Sequence, residues 1–72
     1  MIDAFNRCVN RIAETFRSHD GVLTREAFRR LCYGYKQDMT TVQAYFEAGG
    51  MRVEKLHRND ARLGDRFIWK AD

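Results

Sequence analysis

The stretch Asp38-Met39-Thr40-Thr41-Val42-Gln43-Ala44-Tyr45-Phe46-Glu47-Ala48-Gly49-Gly50 decides how the chain reads. Asp38 suits an N-cap, because its carboxylate can accept a bond from an orphan backbone N–H and meets the positive end of the helix. Met39, Val42 and Phe46 follow at i, i+3 and i+7, one stripe of a helix, with Tyr45 beside it. Gly49-Gly50 ends the run, since glycine accepts the left-handed conformation a C-cap often needs. Thr40, Thr41, Gln43, Ala44 and Glu47 are left facing outward or along the edge. A helix over about 39–48 is expected.

Upstream, Ile2, Phe5, Val9, Ile12 and Phe16 recur at steps of three and four, with Cys8 and Ala13 widening the stripe. His19-Asp20-Gly21 reads as a stop, so a first helix is expected over about 2–18. Thr24 suits the N-cap of a second helix, over about 25–35. Leu23 and Phe28 have the spacing of a hydrophobic staple, and Phe28, Leu31, Cys32 and Tyr35 form the buried face. Arg25, Arg29 and Arg30 fall largely on the opposite side.

Downstream of Gly50 the period changes. Met51–His57 alternates imperfectly and Arg66–Lys70 is rich in strand formers, with turn residues at Asn59-Asp60 and Gly64 between them. Two strands, over about 51–57 and 66–70, read as a hairpin. A hairpin alone is barely stable in water, so it must pack on the helices, with Phe67 and Trp69 as anchors. The fold class expected is mainly α with a C-terminal β-hairpin, an α+β chain forming one domain over residues 1–72. Phe5, Val9, Ile12, Phe16, Phe28, Leu31, Val42, Phe46 and Trp69 are its expected core.

Composition bounds the function. The 72 residues suffice for one domain, and 44% hydrophobic with 32% charged residues is the balance of an ordinary globular chain. No apolar run approaches the roughly 20 residues that cross a bilayer, and no basic segment followed by a hydrophobic stretch opens the chain, so a cytoplasmic protein without a membrane partner is expected. The net charge is +3. From Met51 onward six Lys/Arg oppose four Asp/Glu, whereas Met1 to Gly50 carries seven against six. The basic excess at the end of the chain suits a polyanion.

The order helix, helix, short turn, helix, hairpin, together with the capped Asp38–Phe46 segment and the Met51–Lys70 hairpin, resembles winged helix-turn-helix domains. The resemblance runs from Leu23 to Lys70, with the first helix as support. With Val42 aligned to the apolar position of the family's recognition helix, Cys32 falls at the small position of the preceding helix. Lys36 falls where glycine is common in the turn. The resemblance implies a three-helix winged fold that binds double-stranded DNA, and because a single 72-residue module presents little contact area a homodimer is expected. The resemblance further implies a small transcriptional repressor or an accessory factor of a mobile element.

The residues then divide into three groups. Thr40, Thr41, Gln43 and Glu47 would form the face that reads bases, since glutamine pairs with adenine and threonine contacts the thymine methyl. Arg58 and Arg62 at the wing, with Lys55 and Arg66 behind them, would hold phosphates or a minor groove. Arg25 and Arg29, with Arg30, would hold phosphates beside the groove. Each group has a plainer reading as solvated surface, with Asp60 and Asp65 neutralising the wing and Glu26 partnering the second helix. A protein-interaction module on the same fold, without DNA, is the alternative function.

No cofactor is expected. Cys8, Cys32, His19 and His57 are the residue types of a zinc site, but no pair is close in sequence and both cysteines lie on apolar stripes, where they act as small hydrophobes. No acid–base constellation marks an enzyme. Tyr33, Tyr35 and Tyr45 are expected to cap the core with their hydroxyls wet, rather than to stack on bases.

Overall fold

The computed structural model describes residues 3–55 and 65–70. Helix α1 (Ala4–Ser18) begins after Asp3, whose carboxylate accepts a bond from the Asn6 N–H at 2.8 Å. Its start is two residues later than the periodicity predicts, and Ile2 lies outside the described residues. Cys8, Val9, Ile12, Ala13 and Phe16 are its buried side. The helix ends on a reversal: the Gly21 N–H donates to the Phe16 carbonyl at 2.7 Å, with Asp20 at φ 58° and Gly21 at φ 82°. Gly21 also lies against Trp69 and Lys70, with the Trp69 N–H donating to the Gly21 carbonyl at 2.9 Å. A Cβ there would meet Cγ of Lys70 at 2.9 Å and the Trp69 carbonyl at 3.1 Å.

That reversal feeds a strand the sequence did not announce. β1 (Val22–Thr24) pairs antiparallel with the last strand, β3 (Asp65–Ile68), placing Leu23 opposite Phe67. β2 (Arg52–Lys55) pairs antiparallel on the other side of β3, with Val53 opposite Phe67. The sheet order is therefore β1-β3-β2. The expected hairpin corresponds to the β2–β3 pair, but its strands are shorter: Met51, Trp69 and Lys70 fall outside them, and residues 56–64 lie outside the described set. Among the described residues, three helices and a three-stranded antiparallel sheet make an α+β fold, with more sheet than a hairpin supplies.

Helix α2 (Arg25–Gly34) is capped by Thr24, whose Oγ1 accepts from the Ala27 N–H at 3.1 Å. Its last turn closes through a bond from the Gln37 N–H to the Cys32 carbonyl and one from the Lys36 N–H to the Tyr33 carbonyl, both 2.9 Å. This pattern requires a left-handed residue just past the helix, and Lys36 supplies it at φ 58°. Helix α3 (Met39–Ala48) follows at once, capped by Asp38. It ends the same way, with Gly50 at φ 103° and the Met51 N–H donating to the Phe46 carbonyl at 2.9 Å.

The core lies between the helices and one face of the sheet. Phe46 sits at its centre, with ring centroids 5.8 Å from Phe16, 6.0 Å from Phe28 and 5.1 Å from Trp69. Phe67 meets Phe28 at 4.7 Å. Val9, Ile12, Phe16, Phe28, Val42 and Phe46 are buried as expected, whereas Phe5, Leu31 and Trp69 are half-buried at the margin. Leu23, Met39, Met51 and both cysteines complete the interior. Trp69 stays at the edge because its indole N–H donates to the Gly49 carbonyl at 3.2 Å.

Candidate nucleic-acid interface

Among the described residues, the candidate polar side chains form three groups on the surface. The first is on α3. Thr40 and Thr41 are exposed in its first turn and Gln43 is half-buried. The Asp38 carboxylate, as cap, holds Thr41 twice: the backbone N–H and the hydroxyl of Thr41 both donate to Oδ2 at 3.0 Å. Gln43 Nε2 lies 3.4 Å from Oε2 of Glu47, one turn on and exposed, at the long end of hydrogen-bond distance. α3 carries no Lys or Arg.

The second group gathers where β1 meets α2. Antiparallel pairing sets Thr24, Arg66 and Glu54 in one row across the sheet, with Lys55 opposite Asp65 in the next. Arg25 follows Thr24 directly, so Arg25, Lys55 and Arg66 share one end of the sheet. Arg25 is exposed and has no ion pair among the described residues. Arg66 donates to Oε1 of Glu54 at 2.9 Å, and Lys55 is exposed at the last residue of β2. Arg58 and Arg62 lie outside the described residues.

On α2, Glu26 draws two cations together. Arg29 and Arg30 both bond its carboxylate, Arg30 from Nε at 3.0 Å. These bonds, Arg29's first, hold the Glu26 carboxyl down at about 2. The Arg29 guanidinium also lies over the Tyr33 ring, 5.2 Å from its centroid. Arg29 is thus fixed on two sides, which lowers the rotamer entropy a ligand would have to remove and also spends part of its charge. Sequence reasoning placed Glu26 as a local partner; it had no signal for the Tyr33 contact beyond the i, i+4 spacing.

The tyrosines separate. Tyr35 is half-buried against the core, as expected. Tyr33 and Tyr45 are 56% and 53% exposed, which corrects the expectation that all three cap the core. Tyr45 leans on Phe5, edge to face at 5.4 Å. It walls a groove of about 480 Å³ between α1 and α3, lined by Val9, Ala13, Phe46, Trp69 and Arg17 among others.

Both thiols are fully buried, and the Cys8 Sγ–H points to the Leu31 carbonyl at 3.9 Å. Burial first, then the neighbouring Cys8, pushes the Cys32 thiol up to about 12; burial also raises Cys8. Among the described residues no three His, Cys, Asp or Glu side chains gather as metal ligands, and no helix is long and apolar enough to cross a membrane. Comparison with protein-family models, curated proteins and solved structures finds no match, so the functional reading rests on these residues and their geometry.

Proposed function

We propose that the chain is a winged helix-turn-helix domain that binds double-stranded DNA. Its role would be that of a small repressor or accessory factor of a mobile element, working as a homodimer on a two-fold site. The observation that carries the reading is the junction between α2 and α3. A four-residue connection, Tyr35–Asp38, turns through a left-handed Lys36 at the position where this fold commonly has glycine. The element order supports it further: a short strand stands between the first two helices, and its partner is the last strand of a β2–β3 pair that follows α3. In this reading α3 faces the bases, and Arg25, Lys55 and Arg66 face phosphates.

Salt titration of binding to random duplex DNA tests it. Each phosphate contact releases counterions, so log affinity falls against log salt with a slope of about −0.9 per contact. Arg25→Ala and Lys55→Ala are each expected to flatten that slope by roughly 0.9 and to weaken all duplexes alike. Absence of binding at low salt refutes the proposal. The groove beside Tyr45 favours the second reading, an interaction module whose partner is a protein, and that reading takes over if DNA is not bound.

A further inference from the structure

Two outward side chains of α3, Thr41 and Gln43, turn a hydrogen onto the protein. The Thr41 hydroxyl donates to Asp38, and one amide hydrogen of Gln43 is directed to Glu47. What these side chains offer a ligand is mostly lone pairs: Oγ1 of Thr41, Oε1 of Gln43 and the second carboxylate oxygen of Glu47. No lysine or arginine on the helix offsets them. A surface that carries a carboxylate and no cation is selective in a way a basic helix is not.

Resting on the duplex-DNA reading above, we infer that α3 distinguishes amino bases from keto bases at the position facing Glu47, with Glu47 as the specificity-determining acceptor. In the major groove the amine of adenine or cytosine donates, whereas guanine presents O6 and N7 and thymine presents O4, all acceptors. Glu47 meets the amine as a partner and meets a keto oxygen lone pair to lone pair. Gln43, one turn earlier, lies 3.4 Å from that carboxylate and adds its own carbonyl as a second acceptor. The carboxylate also stands near the phosphates of any duplex and opposes binding to all of them. The matched base recovers part of that loss and the mismatched base recovers none, which is discrimination through repulsion. The cations that supply affinity are on other elements: Arg25 on α2, Lys55 on β2 and Arg66 on β3.

The experiment is selection from a pool of randomised duplexes by the full chain and by Glu47→Gln, followed by sequencing and affinity measurement on the enriched duplexes. The wild-type chain is expected to enrich adenine or cytosine over guanine or thymine at one position, by roughly five-fold or more. Glu47→Gln removes the charge and adds amide hydrogens at nearly unchanged shape. It is expected to bind every duplex more tightly and to lose the preference for cytosine over guanine and thymine, adenine alone keeping a matched partner in the amide. Glu47 is exposed, so the variant should keep its fold, which a thermal melt verifies. If Glu47→Gln tightens all duplexes equally and keeps the wild-type preference, or if the wild-type chain shows no amino-over-keto preference while binding DNA, the inference is wrong and the DNA reading stands. If the wild-type chain binds no duplex at low salt, the DNA reading fails and this inference fails with it.

Discussion

Lys36→Gly is expected to stabilise the chain. Lys36 holds φ 58° at the end of α2, where the Lys36 and Gln37 N–H groups close the last turn of the helix. An L residue in that conformation costs roughly 1–2 kcal/mol, because Cβ crowds the following carbonyl. Glycine removes the crowding but makes the unfolded chain more flexible, which costs about 0.4–1 kcal/mol. The balance is a gain of about 0.5–1 kcal/mol. Unfolding entropy is about 2.1 cal/mol/K per residue, so for this length the gain corresponds to a rise in Tm of roughly 3–7 °C. Circular dichroism melts of the wild type, Lys36→Gly and Lys36→Ala make the measurement. Alanine keeps the Cβ and removes the exposed ammonium, so it should lie close to the wild type. A Lys36→Gly variant that melts below Lys36→Ala would refute the reasoning, since it would show that the turn does not hold the left-handed residue described here.

Three further outcomes follow from the packing and the titrating groups. Phe46→Ala removes the ring at the centre of the aromatic cluster and should cost about 3–5 kcal/mol, enough to abolish a cooperative melt in so small a domain; a sharp transition near the wild-type Tm would overturn the core assignment. Cys8 and Cys32 should resist alkylation by iodoacetamide at pH 8 in the native chain and react on unfolding, because both are buried and burial raises both thiols; rapid native labelling would contradict this. Glu26 is held below its ordinary value of 4.5, so whatever its bonds to Arg29 and Arg30 contribute to stability is present above about 4.5 and disappears as pH falls toward about 2. An NMR titration of the Glu26 carboxyl should show a midpoint near 2, whereas a midpoint near 4.5 would mean that the arginines do not hold it in solution.

The candidate site was legible only in part, for reasons that can be traced to particular residues. Residue type and position put Arg25, Lys55, Arg66 and the α3 polar residues on the surface. Which charges are already spent was less accessible. Arg66 is bonded to Glu54 because β2 and β3 pair in a register that puts them side by side, and no local pattern announces a register. Arg29 lies over Tyr33 because the two share one side of α2 at i, i+4, a spacing visible in the sequence but equally compatible with separate rotamers.

Helix identity, the starts of α2 and α3 and the end of α3 were determined by the sequence alone. Thr24 and Asp38 cap the helices they precede, and Gly50 ends α3, because each acts on backbone groups within a few residues of itself. The apolar stripe of α1 is likewise local, since a period of 3.6 brings Val9, Ile12 and Phe16 to one side whatever they pack against. Tertiary structure alone decided β1. Three residues are too few to show an alternation, and Val22–Thr24 becomes a strand only because β3, at the other end of the chain, supplies its hydrogen-bond partners. It also decided Lys36. The chain between α2 and α3 must reverse within a few residues for Phe28 and Phe46 to meet, and burial of those two rings holds a lysine in a conformation its own side chain disfavours.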